Sequence, residues 1–512
     1  MNSTLLTPDG KPVFTQVRSH FSQFLSECGD FWQNAPSVRQ AFESDLVTRA
    51  LIGKRSRTLR MDEQLQGTGV LPGIDPATTM PEPLCSIELQ CGRPRMSTKL
   101  VFIFAMIRGW FGGSILSAKS RDALIESQSL AALLDSEGVC LPGATTILEN
   151  INAISSSTLQ ATQQALMGYI RNRELDTFEL LSIDSTAIRA SSEWPTDSKI
   201  LYKLLTRAVA TSQRLPAFGV EPMQCGCCER WIEQMRKSDF QIALQGNKAG
   251  AKNKRKGHYR DLYLSACKAL EKLIGRLHLR FEQCDRLDLS PLRKEACLTL
   301  LEAISDDLFD TSKVMEYSMQ RVEHDVNVRT REKVLSVADR CASMICKGGR
   351  EPVLGYKPQL SRSGNGFITA LQIESGNPSD SDALEPMIRE SISNTGIVPQ
   401  DITVDDGYSS AKGLQAAKDL GVERVSISGS KGRRLLGEDL WDDPRYQQLR
   451  NDRSAVESVM FVVKHNHGFG QLARRGLEAV RCESLEKIIA YNLWRACVIA
   501  ERRAKPPDKA AA

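Results

Sequence analysis

Ile402-Thr403-Val404-Asp405-Asp406-Gly407-Tyr408 is the stretch on which the fold turns: three residues of strand composition that end on a carboxylate and run into a turn. Helical spacing follows over 411–420, strand composition over 424–427, and another helical pattern precedes the stretch over 381–393. Strands alternating with helices predict a mixed α/β fold. Working upstream, 355–360 and 366–373 have strand composition on either side of Ser363-Gly364-Asn365-Gly366, which reads as a hairpin. Further upstream, Leu180-Leu181-Ser182-Ile183-Asp184-Ser185-Thr186 closes a strand reading that begins at Phe178, again on an aspartate.

The rest of the chain reads mainly as helix. Residues 1–90 hold helical patterning around 17–51 and a Gly/Pro-rich linker over 67–83, with no clear fold. Residues 91–175 read as a small helical unit with a candidate helix-turn-helix, which would suit DNA binding. A helical packing unit that touches no DNA fits the same pattern equally well. Residues 176–210 and 335–500 carry the strands, and 211–334 is strongly helical and charged, with clear periodicity over 262–281 and 291–308. The Pro/Lys/Ala tail, 501–512, is expected to be disordered.

Three acids stand in contexts that suit metal-assisted phosphoryl transfer. A carboxylate just past a strand's last residue projects into the crevice where α/β sheets bind ligands, and both Asp184 and Asp405 hold that position. Asp406 rivals Asp405, but successive strand residues face opposite ways, and Asp406-Gly407 reads as the turn that follows. The third acid, Glu457, lies on a helical block that starts near Pro444. There Leu449, Val456, Met460 and Val463 form an apolar stripe, and Arg453, Glu457 and Lys464 share a narrow arc beside it. Phosphoryl transfer needs a nucleophile activated and a leaving oxygen stabilised, which two metal ions about 4 Å apart accomplish. Magnesium keeps several waters and takes few carboxylates, so three acids suffice. Arg453 and Lys464 would then meet phosphate oxygens, one as a fork and one as a point charge. Singly, each acid reads more readily as a turn, cap or ion-pair residue; the argument rests on the set.

That set resembles the DDE transposases of bacterial insertion sequences. Their first acid sits in Asp-Ser/Thr-Thr, matched by Asp184-Ser185-Thr186; their second in Asp-x-Gly-Tyr, matched by Asp405-Asp406-Gly407-Tyr408. Their third lies in Tyr-x2-Arg-x3-Glu-x6-Lys, matched by Arg453, Glu457 and Lys464, with Arg450 standing where the signature has its tyrosine. Trp194 to Ser198, Lys347-Gly348 to Gly355-Tyr356-Lys357, and Asn377-x2-Asp380 are similar to the same family. The resemblance covers roughly 91–210 and 335–500. It implies an RNase H-like catalytic core over 176–210 and 335–500, a helical N-terminal DNA-binding region over 91–175 and a helical insertion over 211–334. It also implies Mg2+ as cofactor, with Mn2+ as a substitute and no organic cofactor. The implied activity is cleavage at transposon ends followed by attack of the freed 3′-hydroxyl on target DNA. Terminal inverted repeats and target DNA would be the partners, with a homodimer or higher oligomer assembled on them.

Composition sets bounds on this reading. A net charge of +5 over 512 residues does not indicate nucleic-acid binding, so basic residues are read locally. The densest run, with Lys248, Lys254, Arg255 and Lys256, contains two glycines and is expected to be a loop in non-specific phosphate contact or a solvated linker. The start of the chain has no apolar signal core, the apolar window 100–113 is too short to span a bilayer, and the fourteen cysteines suit a reducing compartment. A cytoplasmic bacterial protein, nucleoid-associated and away from membranes, is the expectation. Cys225-Gly226-Cys227-Cys228 lacks the second ligand pair of a structural zinc site, since His258 and Cys267 do not form one, and reads as packing. His465 and His467 read as surface or DNA-facing residues, and Trp194 as a packed side chain in preference to one stacked on a flipped base.

Overall fold

The computed structural model describes residues 14–49, 96–112, 124–245, 250–326, 328–347 and 351–504. These fall into two compact units, one of residues 1–186, 357–374 and 378–512, the other of 187–356 and 375–377. The second unit is wider than the 211–334 stretch of helical patterning. The Gly/Pro-rich linker at 67–83 and Cys91 to Pro94 lie outside the described residues. No helix among the described residues is long and apolar enough to cross a membrane.

The first unit begins with helices α1 (Phe14–Asn34), α2 (36–49), α3 (Thr98–Trp110), α4 (Gln128–Ser136), α5 (Ala144–Ile151) and α6 (Ser156–Asn172). Helix α3 is apolar on all sides and every residue from Leu100 to Ile107 is buried, as a helix without a polar face must be. Trp32 stacks on Phe102 with ring centroids 5.1 Å apart, and Phe42 meets both rings edge-on. Strand β1 (Leu180–Ser185) closes this part of the unit.

The second unit follows. It contains β2 (Ile188–Arg189), α7 (Asp197–Ser212), α8 (Gly226–Leu244), α9 (Ala251–Arg286), α10 (Pro291–His324), β3 (Ser343–Ile345) and β4 (Val353–Tyr356). The four helices share a core that includes Leu201, Leu204 and Leu205 of α7, Leu262, Ala266 and Leu273 of α9, and Leu301 and Ile304 of α10. The three short strands form a separate antiparallel sheet in the order β2-β4-β3. The expected loop of the basic run is corrected over 251–260: these residues are the first turns of the 36-residue α9. Gly250, at φ 73°, stands as its N-cap, and Tyr259 and Leu262 already turn into the core.

The first unit resumes with β5 (Gln359–Ser363), β6 (Ile368–Gln372), α11 (Asp380–Thr395), β7 (Asp401–Val404), α12 (Ala411–Asp419) and β8 (Arg424–Ile427). Helices α13 (Ser430–Leu436), α14 (Glu438–Asp442), α15 (Pro444–Asp452), α16 (Ser454–Asn466) and α17 (Leu477–Ala504) complete it. The hairpin β5–β6 forms around 363–366. The strand expected over 355–360 is instead two strands in different sheets, broken at Lys357-Pro358, because proline has no N–H to continue a ladder. The tail expected to be disordered is helical over 501–504, and 505–512 lie outside the described residues.

The central sheet has the order β6-β5-β1-β7-β8. Strands β1, β7 and β8 run parallel, and β5 and β6 are antiparallel to their neighbours. Alternation sorts its residues by face. Leu181, Ile183, Ile402, Val404, Val425 and Ile427 share one core with Leu384, Met387 and Ile388 of α11. On the opposite face the register aligns Ser182, Thr403 and Ser426 in a row, whose small side chains allow helices to approach closely. Helix α15 packs on β7 and β8, and α16 on β1 and β5. Edge strand β6 is covered: Asn492 of α17 accepts from Ile368 N and donates to Ile368 O, both at 2.9 Å, which occupies backbone groups that an open edge would expose.

Candidate active site

The register places two of the three acids side by side. Ile183 pairs with Val404 between parallel strands β1 and β7, so the next position on each strand is Asp184 and Asp405, about one strand spacing of 4.8 Å apart. Since Ile183 and Val404 face the core under α11, both aspartates face the other way, the side on which α16 packs. Backbone amides orient the carboxylates: Asp184 Oδ1 accepts from Ser185 N at 2.7 Å, and Asp405 Oδ1 from Gly407 N at 2.9 Å. Asp184 is buried and Asp405 half-buried.

Asp406 is committed elsewhere. Its Oδ1 accepts the amides of Lys431 and Gly432, each at 2.9 Å, and so caps the start of α13, with Ser409 Oγ donating to the same oxygen. A side chain on Gly429 would lie 2.5 Å from the Asp406 carboxyl carbon, so this approach depends on that glycine.

Glu457 lies in the first turn of α16 beside the buried Val456. Its side chain is 63% exposed, with Oε1 3.3 Å from Arg453 Nη2. The single helical block expected from Pro444 is two helices, and Arg453 stands at the joint with helical backbone angles. The expected stripe is buried all the same: Leu449 on α15, and Val456, Met460 and Val463 on α16. Lys464 is half-buried on α16. Arg450 donates to Trp441 O at 2.6 Å and stacks 3.9 Å from that ring's centroid.

Behind the aspartates runs a network whose assembly sequence reasoning missed. Tyr408, fully buried, donates to Gln359 Oε1, and Gln359 Nε2 donates to Asp380 Oδ1 at 2.8 Å. Lys357 Nζ stands 2.9 Å from the same Asp380 oxygen and donates to Pro378 O at 3.0 Å. Burial pushes the Tyr408 hydroxyl well above its ordinary range, and the charges of Asp380, Asp184 and Asp405 push the same way; it stays a neutral donor. Burial would raise the Asp380 carboxyl too, but hydrogen bonds from Gln359 and Lys357, the Lys357 charge and Ser185 outweigh it and hold the group below its usual range. The available signals were Lys357 after Gly355-Tyr356 and Asn377-x2-Asp380, which carried no role alone.

Of the basic run, Lys248 lies outside the described residues. Lys254 is exposed, Arg255 half-buried, and Lys256 Nζ donates to Glu323 O at 3.3 Å. Trp194 is 58% exposed rather than packed. His465 is exposed, but His467 is not a surface residue: it is buried against Trp110, Tyr491 and Trp494. Burial drives its pKa down to about 4, helped by Lys487 and opposed by a hydrogen bond to the Gly109 backbone. An unfolded histidine titrates near 6.5, so between these values the unfolded chain binds more protons. Stability tied to His467 is complete above about pH 6.5 and is lost as pH falls toward 4. A His467→Phe variant is expected to flatten this part of the stability profile, checked by urea unfolding at pH 7 and pH 5.

No curated protein and no solved structure matches the chain. Residues 342–493 match the model of a family described as the transposase DDE domain, a segment that holds Asp380, Asp405, Arg453, Glu457 and Lys464 but not Asp184. That match covers less than half of the chain and supports the DDE-type transposase read from its motifs.

Proposed function

We propose that the protein catalyses DNA transposition: divalent-metal-dependent cleavage at the ends of a mobile element and transfer of the freed strand into target DNA. The observation that carries this reading is the pairing of Asp184 and Asp405 at neighbouring strand ends, on the face against which the helix of Glu457 packs. We take this sheet as an RNase H-like core. The donor set is all carboxylate oxygen, which fits a hard cation such as Mg2+, with Mn2+ as a substitute. Asp184 and Asp405 would hold the ions and Glu457 would complete the set; when bound, they lower the pKa of the attacking hydroxyl and stabilise the leaving oxygen. The chain's own residues do the rest. Amides of Ser185 and Gly407 fix the carboxylates, Tyr408, Gln359, Asp380 and Lys357 brace the ground behind them, and Arg453 and Lys464 meet the DNA backbone. Glu457 would hold an ion in place of its Arg453 contact, which would leave the guanidinium free for a phosphate. Lys254, Arg255 and Lys256 add sequence-independent contact, and two or more copies pair the element's ends.

The test uses purified protein, Mg2+ or Mn2+, a labelled duplex carrying the element's end, and a target plasmid. End cleavage and joining are expected from the wild type and from neither Asp184→Ala nor Glu457→Ala. Binding without any cleavage by the wild type would instead indicate a catalytically silent DNA-binding relative.

A further inference from the structure

We propose that Cys225, Cys227 and Cys228 form a site for one thiophilic d10 cation, with Zn2+ as its representative, in the helical second unit. The three sulfurs converge within 4.8 Å of one another. Cys225 Sγ lies 3.3 Å from Cys227 Sγ and 2.6 Å from Cys228 Sγ. The convergence follows from the helix start. Cys225 is the N-cap of α8, which makes Cys227 its second residue and Cys228 its third. Side chains at the N-cap and the third position face each other, as in a capping box. Here the Cys228 amide donates to Cys225 Sγ at 3.4 Å.

Two further features favour thiolates at this point. The first turn of a helix presents unsatisfied N–H groups and a partial positive charge. From α9, Arg276 Nη1 donates to Met223 O at 3.2 Å and to Gln224 O at 2.7 Å, and Arg280 Nη2 donates to Pro222 O at 3.3 Å. Both guanidiniums fix the segment leading into the cysteines; Arg280 also pairs with Glu221 at 2.9 Å, so it is Arg276 that sets positive charge beside Cys225 and favours its thiolate, while burial pushes the Cys228 thiol up. Cys228 is fully buried while Cys225 and Cys227 are half-buried, so the site is walled on one side and open on the other.

Three thiolates suit Zn2+ and reject Mg2+. With Zn–S bonds of about 2.3 Å in tetrahedral geometry, the sulfurs sit about 3.8 Å apart. The observed spacings of 3.3 and 2.6 Å are shorter, so a bound ion would spread the sulfurs. The fourth position stays open, which makes the ion exchangeable, and the protein would sort its metals by hardness: carboxylates for magnesium, thiolates for zinc.

The test uses the full chain, stripped with a chelator under reducing conditions and titrated with Zn2+ and with Co2+ as a spectroscopic probe. One Zn2+ per chain is expected by native mass spectrometry, and sulfur-to-cobalt charge-transfer absorption on Co2+ addition. Cys225→Ser and Cys227→Ser should each weaken binding about a hundredfold, whereas Cys267→Ser, at an exposed position on α9, should not. A readout independent of variant folding is alkylation of the wild type: Zn2+ should slow labelling of Cys225 and Cys227 and leave Cys267 unchanged. Absence of the charge-transfer band, its persistence in a Cys225→Ser/Cys227→Ser double variant, or a Cys225–Cys228 disulfide in protein isolated under reducing conditions would each overturn the proposal.

Discussion

Asp405→Asn should leave the protein folded and its DNA binding intact while lowering strand joining by about a thousandfold, roughly 4 kcal/mol of transition-state stabilisation. Asparagine keeps the oxygen that accepts the Gly407 amide and loses only the charge that would hold a cation. Asp406→Ala should do the opposite. It removes the acceptor of the Lys431 and Gly432 amides and of Ser409 Oγ, and losing such a cap costs about 1–2 kcal/mol. Its joining rate should stay within about tenfold of the wild type once the loss of folded protein is allowed for. Paired joining assays and urea titrations on the two variants read this directly. If Asp406→Ala were folded but inactive, and Asp405→Asn active, the metal-binding acid would be misassigned.

The contrast between these neighbours shows what was legible in the sequence. Alternation along a strand and the turn character of Asp-Gly depend on adjacent residues alone. They made Asp405 rather than Asp406 the candidate acid and located strands later found at Leu180–Ser185 and Asp401–Val404. The joint at Arg453 was invisible because it keeps helical angles and interrupts no apolar repeat. The brace of Lys357, Gln359, Asp380 and Tyr408 was not legible as a unit, since its members come from a strand break, a strand start, a helix start and a turn, joined only by folding. His467 misled for the same reason: its neighbours in sequence are polar, but its neighbours in space are Trp110, Tyr491 and Trp494. The basic run misled because lysines and glycines hide the helix period until Tyr259, although α9 begins at Ala251. The cysteine triad was judged by ligand spacing along the chain, and the approach of an N-cap to the third helical residue does not register on that scale.

Arg108→Met should be the most destabilising single change in the first unit, costing about 3–5 kcal/mol by urea unfolding, the range for stranding a buried charge. Arg108 of α3 is 4% exposed and Glu486 of α17 is 1% exposed. They meet as a fork, with Nε to Oε2 at 2.8 Å and Nη2 to Oε1 at 2.5 Å, while Nη1 donates to Asn152 Oδ1 at 2.8 Å. Without Arg108, the basic partner left to Glu486 among the described residues is Arg474, at 3.5 Å. The helices cannot separate to admit water cheaply, because a side chain on Gly109 would already stand 2.4 Å from the Glu486 carbonyl oxygen. A double variant, Arg108→Met with Glu486→Met, should recover most of the loss, because the cost lies in the unpaired charge and not in the missing pair. Helix α17 also covers the edge strand β6 through Asn492 and Ile368, so the single variant should lose strand joining at a lower temperature than the wild type. A cost below about 1 kcal/mol would mean that the pair behaves as a solvated surface bridge, and the helical layer would then be held by its apolar contacts alone.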